Sequence, residues 1–131
     1  MKRLGTRMLA LGAVLLMAYG LLRWIDAGGT SVPPQSRAEV ERGAELFATW
    51  GCPTCHGPHG EGTPKGPELR QLSRYWNAET LATYLQHPER LRKNNPRLQQ
   101  LAAGYAPITM PSLEALDAKA RKALVAYLLT L

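Results

Sequence analysis

Cys52-Pro53-Thr54-Cys55-His56 is the tightest chemical constraint in this chain. Two thiols three positions apart on one helical turn can each form a thioether to a porphyrin vinyl group. The next residue then offers an imidazole to the iron. This is the CxxCH spacing of a c-type haem attachment site. CxxC alone is less informative, because dithiol redox pairs and zinc sites share it. The adjacent histidine narrows the choice sharply towards haem.

The rival uses of these cysteines meet separate difficulties. Structural zinc takes four Cys or His ligands, often as two close pairs. Cys52, Cys55, His59 and His87 make such a set by number, but no His-x3-His half accompanies them. A thioredoxin-like pair needs a βαβ context, and no strand-rich pattern surrounds this one. A disulfide between such near neighbours closes a tiny loop and stabilises little.

The chain's beginning carries a second signal. Lys2, Arg3 and Arg7 precede the apolar run 8–22, and Arg23-Trp24 close it. The run is long for the apolar core of a signal peptide and shorter than the roughly 20 residues of a membrane span. No clean A-x-A follows; Ala18-Tyr19-Gly20 and Ile25-Asp26-Ala27 are imperfect substitutes. Tyr19 and Trp24 suit a membrane interface, and Arg23 can snorkel, so that residues 4–25 serve as the span. Residues 1–27 are therefore expected to be a retained anchor, with a cleaved signal as the alternative. The basic residues hold the N-terminus in the cytoplasm and send the rest outward. Covalent haem attachment takes place on that side in bacteria. Residues 28–36 (GGTSVPPQS) read as a tether, loosened by Gly and Ser and stiffened by Pro.

The net charge of +6 belongs largely to the anchor. From Trp24 onward, twelve basic residues face ten acidic ones. That balance excludes a nucleic-acid binder. Arg90, Arg92, Lys93 and Arg97 are a local concentration that reads as a solvated helix end. Its sharper alternatives are a docking surface or counter-charges for haem propionates.

Residues 37–131 form the third segment, about 95 residues long and near the lower limit for a self-sufficient core. A buried haem supplies missing apolar volume, so folding and attachment are expected to be coupled. A first helix is predicted over 37–49, with Val40, Ala44 and Phe47 on one stripe and Ser36 with Glu39 as a capping box. Gly43 costs such a helix roughly 1 kcal/mol relative to Ala, a cost that a close helix crossing explains. Residues 51–73 are rich in Gly and Pro and read as mostly loop. A second helix starts behind Asn77, carries Leu81, Tyr84 and Leu85, and ends or bends at Pro88. Residues 96–103 form a short helix stopped by Gly104. The last helix follows Asp117, with Ala120, Leu124, Tyr127, Leu128 and Leu131 on its buried face. The fold class is all-α.

An iron held by one histidine has a sixth position to fill. Met1, Met8 and Met17 lie in the anchor, leaving Met110 as the one methionine of the soluble part. Pro111 behind it keeps it in extended loop. The bland alternative is a gap-filling loop methionine. His59 is too near His56 to reach the opposite face comfortably, and His87, before Pro88, reads as a surface residue.

With these motifs the chain resembles class I cytochromes c of the small, single-haem, membrane-anchored bacterial kind, over residues 38–131. Gly43 and Phe47 match that family's glycine and aromatic in the first helix; Leu124 and Tyr127 match the leucine and aromatic of the last. Lys65-Gly66-Pro67-Glu68-Leu69 stands where the family has its Gly-Pro-x-Leu segment, and Met110-Pro111 matches its Met-Pro pair. The resemblance implies about four helices around one covalent haem c. It also implies that the Pro67 carbonyl accepts from His56 Nδ1–H, and that Leu69 packs on the haem. Residues 90–108 follow no family pattern. Tyr75, Trp76, Tyr84, Arg92 and Tyr105 are candidate propionate contacts, each weighed against a plain packing or surface role.

Ligation by His56 and Met110 closes the iron to oxygen and raises its potential relative to bis-His haem. The expected function is one-electron transfer with redox partner proteins, transforming no small-molecule substrate, at the outer face of the cytoplasmic membrane. An anchored shuttle is favoured over a fixed subunit of a terminal oxidase or dehydrogenase. A soluble periplasmic carrier is the alternative if the leader is cleaved. A third account, a haem enzyme or gas sensor with a labile sixth ligand, is tested by carbon monoxide binding.

Overall fold

The computed structural model describes residues 34–131, so the segment 1–27 and the tether before Pro34 lie outside the described residues. The first helix, α1, spans Pro34–Thr49. It starts earlier than the capping pattern predicts, so Ser36 lies in the first turn and residues 34–36 are helical. Proline suits the first helical position, where its missing N–H has no partner to lose.

A single turn, α2 (Pro53–His56), follows, again led by proline. Residues 57–71 are irregular apart from an isolated bridge between Thr63 and Gly66. A 3₁₀ turn at Leu72–Arg74 leads to α3 (Ala78–Gln86). Asn77 caps α3 by accepting from Thr80 N at 2.8 Å, while the Thr80 hydroxyl accepts from Asn77 N. Pro88 ends α3 but also begins a further helix that the sequence reading missed, α4 (Pro88–Lys93). Next come α5 (Pro96–Ala103), capped by Asn95, and α6 (Ala118–Leu128). Gly104 stays right-handed at φ −67 instead of taking the left-handed stop. Among the described residues no strand is present, and no helix is long and apolar enough to cross a membrane.

The largest helix–helix contact is between α1 and α6. A β-carbon at Gly43 would lie 2.1 Å from the Ala123 carbonyl oxygen and 2.6 Å from Tyr127 Cβ. The missing side chain is what lets the two backbones touch. One turn on, Phe47 is 2 % exposed, its ring 5.5 Å from that of Tyr127. Phe47, Leu81, Leu85, Leu113, Leu116, Leu124, Val125 and Leu128 form one core cluster. The buried face of α6 includes Ala123 and Val125 beyond the predicted stripe, whereas Tyr127 and Leu131 are half-buried.

Asp117 caps α6 by accepting from Ala120 N at 2.8 Å, and this bond holds its carboxyl below the ordinary aspartate range. A depressed native pKa adds stability at neutral pH that disappears on acidification. Asp117→Ala is therefore expected to melt lower than the native protein at pH 7, with the gap closing below about pH 4. Gly43→Ala should lose at least about 1–3 kcal/mol by overpacking despite alanine's better helix propensity, as read from denaturant unfolding of the haem-loaded protein.

Candidate functional site

Directly after α2 the chain folds back over it. Gly62 N donates to the His56 carbonyl at 2.8 Å, and Leu69 N to the Gly60 carbonyl at 2.7 Å. The Thr63 hydroxyl donates to the Cys55 carbonyl at 2.6 Å. Thr63 and Gly66 exchange backbone hydrogen bonds of 2.9 and 3.2 Å. A β-carbon at Gly66 would sit 2.8 Å from the Cys55 carbonyl oxygen, so only glycine lets this strand of loop lie against the motif. The strap delivers the Pro67 carbonyl to His56, whose Nδ1 donates to it at 2.8 Å. A carbonyl can only accept, so the proton is on Nδ1 and Nε2 keeps the lone pair a metal requires. His56 is 8 % exposed. At the tip of the strap the Glu61 carboxylate accepts from His59 N at 2.8 Å, and backbone hydrogen bonds pull its pKa down.

Cys52, Cys55 and His56 border a cavity of about 720 Å³. Pro67 and Leu69, from the strap over α2, and Met110, from the loop before α6, border the same cavity. Phe47, Leu124 and Leu128 reach it from the α1–α6 pair, and Leu81, Tyr84 and Leu85 from α3. Burial is the main influence on the Cys52 thiol and raises its pKa; it also raises that of the Tyr84 hydroxyl.

The family model for Cytochrome c matches residues 40–131. The chain belongs to the cytochrome c family. No curated protein and no solved structure gives a match. Cytochromes c carry covalently attached haem c, and the protein is a haem-based electron carrier.

The site fits that cofactor on its own terms. Its volume lies within the range of cofactor pockets, roughly 300–1,000 Å³. Two free thiols and an imidazole with an available nitrogen share the cavity with a thioether. Trp50, Tyr75, Leu101 and Ile108 are the exposed large apolar side chains among the described residues, and all four border the cavity. Apolar surface is thus gathered where a flat macrocycle would cover it.

The structure separates the other candidates. Tyr75, Trp76, Tyr84, Arg90, Arg92, Arg97 and Tyr105 border the cavity, while Lys93 does not. Arg97 is stacked 3.7 Å over the Tyr75 ring centroid, and Arg92 pairs with Glu89 at 2.6 Å. Arginine held this way keeps its charge at the edge of the site at small entropic cost. His59 and His87 stay outside the cavity. Among the described residues no three His, Cys, Asp or Glu side chains form a metal-holding group.

Sequence reasoning missed Thr63, whose hydroxyl ties the strap to the motif. Its only cue is position, within a Gly-Pro-rich loop that must find hydrogen bonds for its backbone. Replacing both Cys52 and Cys55 by serine should leave protein whose intact mass, after denaturation, lacks haem. Each single replacement should keep the cofactor through the remaining thioether.

Proposed function

We propose that the protein passes single electrons through a haem iron ligated by His56 on one side and Met110 on the other. Bound haem c supplies one iron that alternates between ferrous and ferric states. The Pro67 carbonyl orients the His56 ring and, by accepting the hydrogen bond from its Nδ1–H, makes Nε2 a stronger donor. Leu69 and the Phe47–Leu124–Leu128 wall exclude water, which favours the less charged ferrous form. The single observation that carries this reading is that His56 and Met110 border one apolar cavity, whereas His59 and His87 do not.

With His56 and Met110 both holding the iron, bound haem would offer oxygen and peroxide no open site. Electron exchange then needs little rearrangement, which suits a carrier rather than a haem enzyme. Partners would be redox proteins reaching the haem edge beside Cys52 and Cys55. Lys2, Arg3 and Arg7, the apolar run 8–22 and the interfacial Trp24 support a tethered carrier on the outer face of a bacterial cytoplasmic membrane. A shuttle between membrane complexes accords with a tether of Gly, Ser and Pro. Stoichiometric purification with large membrane subunits in mild detergent would instead mark a fixed subunit.

The oxidised protein is expected to show the weak far-red absorbance band of iron–methionine bonding. Met110→Ala should abolish that band and let the reduced protein bind carbon monoxide rapidly. Rapid binding by the unsubstituted protein would defeat the proposal.

A further inference from the structure

Helix α3 stops at Gln86 because Pro88 has no N–H with which to continue the ladder. His87 between them takes φ −133, ψ 61. A helix that stops leaves carbonyls at its end without intrahelical donors. Two of them are satisfied from far along the chain. Leu113 N donates to the Leu85 carbonyl at 2.8 Å, and the Ser112 hydroxyl donates to the Gln86 carbonyl. The Glu114 carboxylate then lies 3.5 Å from His87 Nδ1. Residues 112–114 thus rest on residues 85–87, immediately behind Met110-Pro111.

The geometry points to Ser112 as a positioning residue for Met110, an inference that rests on Met110 being the sixth ligand. Only Pro111 separates the two; its ring fixes its own φ and restricts the backbone of Met110 before it. Slack at Ser112 therefore reaches the Met110 backbone with little damping. A methionine side chain has three rotatable bonds and no rigidity of its own, so a fixed sulfur needs a fixed backbone. The Leu113 bond is main-chain and does not depend on the side chain at residue 112. The exposed Glu114–His87 pair contributes little. The Ser112 hydroxyl is thus the separable part of the latch.

The test uses ferric, haem-loaded protein and imidazole, which competes with the thioether for iron. Ser112→Val and Ser112→Thr have nearly equal volume and differ in the hydroxyl. Ser112→Val should bind imidazole about two- to tenfold more tightly than native protein, the factor that one lost hydrogen bond gives. Ser112→Thr should stay within about twofold of native. Equal imidazole affinity in the Val and Thr variants, with an undiminished far-red band in both, overturns the assignment whatever their melting temperatures. A native protein lacking the far-red band overturns Met110 ligation itself, and the role of Ser112 with it.

Discussion

Because residue 43 has no side chain, α1 and α6 meet backbone to backbone, with the Ala123 carbonyl oxygen only 2.1 Å from where a β-carbon would stand. That contact fixes where the rest of the domain can go. Phe47 follows one turn later and packs on Tyr127. The Phe47 carbonyl then accepts from Cys52 N at 3.2 Å, which starts α2. The motif is placed against Leu124 and Leu128 by the same crossing that builds the core. Apolar burial near a small domain's lower size limit leaves little spare stability. A lesion at the crossing therefore reaches the cofactor wall directly.

Two straps then complete the cavity from opposite stretches of chain. One runs over α2 and is held by Thr63, Gly66 and the His56–Pro67 bond. The other carries Met110 and is latched to the end of α3 through Ser112 and Leu113. Neither strap has regular structure. Each is ordered because carbonyls left by a short or broken helix must find donors. Met110, and the Pro67 carbonyl that orients His56, thus sit on loops whose rigidity comes from helix ends, an economical way to hold a metal in a small fold.

Helical segments with strong local signals were legible in advance. Asn77 and Asp117 cap where their side chains compete for exposed amides, and Gly43 lies in the close crossing that its presence mid-helix implied. The start of α1 at Pro34 and the existence of α4 were not legible. Proline was read as stiffening a tether before α1 and as ending or bending a helix at residue 88, yet it favours the first helical turn as readily as it ends a preceding helix. Thr63 and Ser112 also escaped, because their partners are 8 and 26 residues away. Hydrogen bonds at such separations leave no periodicity in the sequence.

The sequence by itself determined the available chemistry: two thiols and an imidazole at CxxCH spacing, one methionine before a proline, and a chain of helices and loops. Such properties are local, set by residue type and by neighbours within a turn. Tertiary structure decided which of these groups share a cavity. It brought Met110 to the wall shared with His56, left His59 and His87 outside, and placed Arg90, Arg92 and Arg97 but not Lys93 along the edge. Those outcomes depend on how α3 packs on α6, α4 on α3 and α5 on α4, and packing is a sum over contacts distant in sequence.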